Sequence, residues 1–230
     1  MRFLNDDSSM SPRPRNTHLW RMQIVQAALT AIAERGFQET RIADIAARAG
    51  ATPPAVLYHF ETKEEILEAA VALAEDTFYA KVEAALKEPN SAGERLLRLL
   101  ERGGRDDSTG TLAMWKVWLE IWTRALRDRH TARTRHLLDR RWRATLASTI
   151  RDGQAHGEFD ADGDAELVAL QLASLMDGLA IQFALEDPDV TGERMCEVLI
   201  ATAERLLGCD LSPYRNGGAP ADSLSTHEER

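Results

Sequence analysis

Apolar side chains along this chain recur at intervals of three and four, and nowhere alternate at two, so the pattern predicts helices throughout and no sheet. Leu19, Ile24, Ala27, Ala28, Ala31 and Ile32 give one face to a first helix over 17–35, stopped by Gly36, with Phe37 as a plug behind it. Ile42, Ile45, Ala46 and Ala49 give a short second helix over 41–49, with Thr40 as its N-cap and Gly50 as its break. A third helix starts at the cap Thr52, with Pro53 in the first helical position, where a missing N–H costs nothing, and ends near Tyr58 or His59. Thr62-Lys63-Glu64-Glu65 reads as a capping box that opens a long helix reaching Glu88-Pro89.

Further on, Ser91 and Glu94 form another capping box, for a helix to about 102 that Gly103-Gly104 closes; a loop, RDDST, follows. Helices over 110–127, 131–155, 164–185 and 191–207 complete the count at about nine. The fold class is therefore all-α. Its parts are an arm over 1–14 without order, a three-helix helix-turn-helix domain over 15–62, a helical ligand-binding and dimerisation domain over 63–208, and a disordered tail over 209–230. The 164–185 helix is apolar almost all the way round, a pattern that fits burial against its own domain on one side and a second copy of the chain on another, with 191–207 beside it.

Composition changes this picture little. At 230 residues, 44% apolar and 28% charged, the chain has the balance of an ordinary soluble protein. It lacks both an uncharged apolar run of membrane-spanning length and an apolar signal core at its start, which predicts a cytoplasmic protein with no membrane partner. Cys196 and Cys209 read as reduced thiols, and no His, Cys or Glu spacing suggests a metal. There is no nucleophile elbow and no phosphate-cradling glycine loop, so neither an enzyme nor a cofactor is expected.

Charge is more informative. The whole chain carries −9, yet the stretch from Arg13 to Lys63 holds seven Lys and Arg against four Asp and Glu, leaving an acidic body behind a basic head. Two short helices around a glycine turn form the arrangement whose second helix can enter a DNA major groove; a plain helical hairpin has the same pattern. Arg13 and Arg15 belong either to a solvated tail or to an arm reaching the minor groove or backbone.

In the 110–127 helix, Trp115, Trp118 and Trp122 fall within about 60° of one another at 100° per residue. So much indole surface must face something, either the core or a cavity holding a flat or cationic molecule, and Trp142 on the next helix could complete the wall. Asp177 sits inside an apolar surround and needs a partner: Arg140, Arg141 or Arg143, or the charge of a cationic ligand.

The run Ile42-Ala43-Asp44-Ile45-Ala46, then Ala49-Gly50, Thr52-Pro53-Pro54, Tyr58-His59-Phe60 and Thr62-Lys63 resembles the DNA-binding domain of TetR-type transcriptional regulators. Trp118-x-x-x-Trp122, Arg140-Arg141-Trp142 and Asp177-Gly178-Leu179 resemble the C-terminal domain of their BetI-like branch, which includes a choline-responsive member. The resemblance implies a homodimeric repressor, paired through 164–185 and 191–207, on a palindromic double-stranded operator. A small-molecule effector shifts the long helix after Lys63 and releases the DNA. It also implies DNA contacts by Thr52, Pro53, Ala55, Leu57, Tyr58, His59 and Lys63, with Thr40 and Arg41 adding backbone contacts. Lys63 would be a phosphate anchor, and His59 would either touch phosphate or pack as a neutral ring. Leu57 stands where the family usually has tyrosine and could meet a thymine methyl instead. The competing class is a helical dimeric protein that binds small molecules or partners but no DNA.

Overall fold

The computed structural model describes residues 14–87, 91–104 and 111–216, which form nine α-helices and one 3-10 turn, with no strand among them. Most of the N-terminal arm, the RDDST loop and residues 217–230 lie outside the described residues. The chain divides into two compact units, Met1–Ala74 and Glu75–Arg230.

In the first unit, α1 (Pro14–Glu39) is broken at Gly36, whose φ of 78° and ψ of 160° suit a residue without a Cβ. Helix α2 (Ile42–Ala49) ends on Gly50 in the left-handed region, and α3 (Pro53–His59) follows after two residues. Helix α4 (Lys63–Lys87) begins in this unit and continues into the second. Ile24, Ala28 and Ile32 from α1, Phe37, Ile45 and Ala46 from α2, Val56, Phe60 and Ile66 fill the small core. The expected cap at Thr40 is displaced by one residue: Arg41 is the N-cap, and Asp44 accepts its backbone N–H at 2.9 Å. Thr40 is instead buried, and its hydroxyl donates to the carbonyls of Gly36 (2.7 Å) and Ala31 (3.3 Å) beside the break at Gly36.

The second unit holds the rest of α4, α5 (Ala92–Glu101), α6 (Thr111–Ala125), α7 (Arg129–Ala155), α8 (Ala165–Ala184), α9 (Gly192–Leu207) and the 3-10 turn Ser212–Asn216. Ser91, Asp128, Asp164 and Thr191 cap α5, α7, α8 and α9 with side-chain oxygens. Leu96, Leu99, Leu100, Leu146, Ile150, Leu172, Met195 and Leu199 make the core. Gly104 and Gly192 meet backbone to backbone, where a Cβ on either would overlap the other's carbonyl. The 209–230 tail is not disordered throughout: Leu211 is buried, and Tyr214 packs on Gly93 and donates to Glu158 at 3.3 Å. Both cysteines are free thiols, and burial, followed by Glu204, Asp210 and Asp160, pushes Cys209 up to about 11.

By length and composition alone α8 is apolar enough to cross a membrane, although its two carboxylates keep it from being an uncharged run. It packs here against α6, α7 and α9, and carries Glu166 and Asp177. Leu167, Leu170 and Ile181 on the same helix, and Leu185 at its C-cap, stay exposed.

Candidate DNA interface and effector site

Helix α3 is held mainly by its ends. Thr52 Oγ1 accepts the Ala55 N–H at 3.4 Å, and Pro53 and Pro54 occupy the first two helical positions, whose N–H groups would have had no partner. At the other end Arg21 from α1 donates to the His59 carbonyl at 2.7 Å, while its guanidinium lies 4.0 Å from the centre of the Phe60 ring. Of the seven residues, Val56 alone is buried, at 0% exposure. Leu57 is 46% and Tyr58 78% exposed, so large side chains stand in water with no structural use.

The sequence-derived DNA set therefore divides. Thr52, Pro53, Ala55, Leu57 and Tyr58 lie exposed on α3, and Arg41 is exposed at the start of α2. His59 is half-buried, edge-on to Tyr58 with ring centres 5.2 Å apart. Thr40, at 1% exposure with its hydroxyl engaged inside, cannot present that side chain to a phosphate. Lys63, the expected phosphate anchor, is engaged within the first unit: its Nζ donates to the carbonyls of Phe37 (2.7 Å), Thr40 (3.0 Å) and Gln38 (3.2 Å), and it lies 4.3 Å from the centre of the Phe37 ring. An ammonium has three N–H donors, and here three carbonyls take them, tying the start of α4 to the end of α1.

In the second unit the tryptophan stripe meets three different partners. Trp115 Nε1–H donates to the Gly103 carbonyl at 2.8 Å and packs on the core. Trp118 meets Phe78 of α4 edge to face at 6.4 Å, and Trp142 meets the same ring at 5.5 Å. Trp122 carries the Arg135 guanidinium 5.0 Å from its ring centre. Arg135 also pairs with Asp139 at 3.3 Å and Asp177 at 4.0 Å, so the nearest arginine to Asp177 lies five residues before the first of those expected, while Arg143, one of the expected set, also acts on it. Its side chain is 43% exposed, yet burial first and then Asp139 push its carboxyl up to about 6, against the pull of Arg135 and Arg143.

Sequence reading missed Arg21, Phe78, Tyr79, Arg135 and Glu75. Tyr79 donates to the Leu138 carbonyl at 2.9 Å under the Arg141 guanidinium, 3.7 Å from its ring, and burial pushes its hydroxyl up to about 12. Glu75 keeps one carboxylate oxygen buried with no hydrogen-bond partner; burial, then Asp76, raises its pKa. The spacing Glu75, Phe78, Tyr79 is a signal of one helix face that the sequence did carry.

A glycine-turn helix pair with an exposed second helix, followed by a helical bundle with an aromatic cluster, is the geometry expected of a ligand-responsive DNA-binding transcriptional regulator. Residues 24–70 match the model of bacterial regulatory proteins of the tetR family, and residues 92–208 that of the C-terminal domain of BetI-type transcriptional repressors. The chain belongs to the TetR family, with a BetI-type C-terminal domain. It is 32% identical to the HTH-type transcriptional regulator BetI of Cronobacter sakazakii over 72% of this chain and 79% of that one. A transcriptional regulator from Saccharomonospora viridis, solved in complex with choline, is 32% identical with a TM-score of 0.78, covering 83% of this chain and 98% of that one. A TetR-family regulator from Rhodococcus sp. is 26% identical, with a TM-score of 0.67 over 82% and 98% of the two chains.

Proposed function

We propose that this regulator is a cytoplasmic homodimeric repressor that leaves a palindromic operator when a small organic cation enters its second unit. The observation that carries the DNA half is α3, with Thr52, Ala55, Leu57 and Tyr58 exposed around a single buried anchor. Recognition helices of a dimer must lie about 34–36 Å apart, or a multiple of it, so a shift of α4 that respaces them abolishes binding. The exposed leucines of α8, Leu167 and Leu170, support pairing through α8 and α9. The aromatic cluster of Phe78, Trp118 and Trp142 supports a cationic effector, as does the choline bound by the Saccharomonospora viridis regulator.

The test is fluorescence anisotropy of labelled duplex from the region upstream of the protein's own gene, beside a scrambled duplex, across salt concentrations and with added choline. Specific binding that weakens steeply with salt and is reversed by choline supports the proposal. Equal, weak binding to both duplexes favours a helical small-molecule-binding or interaction protein without DNA-binding activity.

A further inference from the structure

We infer that Glu75 is the anionic half of the effector site, docking the charge of an organic ammonium ion whose alkyl groups lie on Phe78, Trp118 and Trp142. This rests on the cationic-effector reading above. Two carboxylates in the second unit compete for the part, and their surroundings separate them. Asp177 already faces Arg135 and Arg143, and keeps much of its side chain in water. Glu75 has one oxygen shut off from water with no donor, and among the described residues no cation pairs with it. A buried acceptor without a donor raises the free energy of the folded chain, and a bound cation removes that cost.

Helix geometry places Glu75 beside this half-buried aromatic cluster. Phe78 and Tyr79 follow it by three and four residues on one face of α4, within about 5–6 Å between Cβ atoms. The charge of Glu75 is felt at the Tyr79 hydroxyl, which it helps to raise. Resident cations cover two of the neighbouring rings: Arg135 lies over Trp122 and Arg141 over Tyr79. Among the described residues, none lies over Phe78, Trp118 or Trp142, which meet edge to face around Phe78. Three rings without a cation and, one turn from Phe78 on α4, one carboxylate without a counter-ion match a compact ammonium ion with a methylated surface.

The charge is isolated by titrating full-length protein, through its tryptophan fluorescence, with choline and with 3,3-dimethylbutan-1-ol, which has the same shape and hydroxyl but no charge. Wild type should prefer choline by about tenfold or more, as expected of a partly desolvated charge pair. In Glu75→Gln that preference should collapse through choline alone, with the neutral alcohol unchanged within about twofold, while Glu75→Asp keeps part of it. If the Gln variant fails to fold, the wild-type ratio and the Asp variant decide: equal affinity for the two ligands overturns the inference. A choline Kd in Glu75→Gln within twofold of wild type overturns it too, leaving the cationic effector intact. Wild type that binds no choline overturns the effector reading and this inference together.

Discussion

Lys63 and Glu75 lie twelve residues apart on one helix and show how differently the two units treat charge. Lys63 gives its three N–H groups to three carbonyls, and Arg21, Arg35 and Arg48 around it each hold a partner, His59, Asp44 and Glu34. The first unit is thus an assembly of satisfied ends, fixed before DNA arrives. The second has a large satisfied core but leaves a carboxylate oxygen of Glu75 without a donor. A surface that must meet a rigid duplex gains from a fixed shape, since ordering it on contact would weaken binding. A site that must answer a ligand needs a group whose condition the ligand changes.

The same substitution in both units sharpens that contrast. Gly104→Ala drives a Cβ into the backbone of Gly192 and should cost about 3 kcal/mol or more, read as a lower denaturation midpoint of the second unit. Gly50→Ala meets nothing within 4 Å, so only its positive φ counts, and about 1 kcal/mol is expected, less in Gly50→Asn. Equal losses would break the distinction between a packed body and a head set by backbone turns. Lys63→Met, which keeps the stem but removes the donors, should destabilise the first unit by about 2 kcal/mol. If operator affinity falls while denaturation is unchanged, Lys63 is a phosphate contact after all. Tyr58→Ala should leave stability within about 0.5 kcal/mol, because the ring is exposed, yet lower operator affinity about tenfold.

The smallest effect expected is at Asp177. Its folded pKa, about 6, lies above the ordinary carboxyl value, so the folded state holds the proton more tightly than the unfolded one, and stability falls as pH rises from about 4 to 6. Asp177→Asn should therefore melt higher than wild type at pH 7.5 and lose that advantage near pH 4. With 43% of the side chain open to solvent, the gain stays below about 1 kcal/mol.

Helices and their local caps were legible because their causes lie within four residues: Thr52, Thr62 and Ser91 all accept the N–H three positions on. The error at Thr40 has a nonlocal cause, since its hydroxyl is claimed by carbonyls of α1 across the Gly36 break. Lys63 reaches carbonyls 23 to 26 residues back, and Tyr214 packs on Gly93 from beyond the last long helix; no periodicity reports such pairs. The tryptophan stripe was visible as a stripe, but its division among Gly103, Phe78 and Arg135 depends on which helices flank α6. Glu75 looked like one more charge on a long helix, and only its burial distinguishes it.

That α3 buries one side chain of seven has a consequence for descent as well as for binding. Thr52 must cap and Val56 must stay small and apolar, but Ala55, Leu57 and Tyr58 answer to no neighbour in the core. Mutations there carry little folding penalty, so gene copies could drift to new operators without first losing the fold. Substitutions around Val56 and Lys63 are screened first for stability, and a lineage would be expected to keep its scaffold while its addresses change.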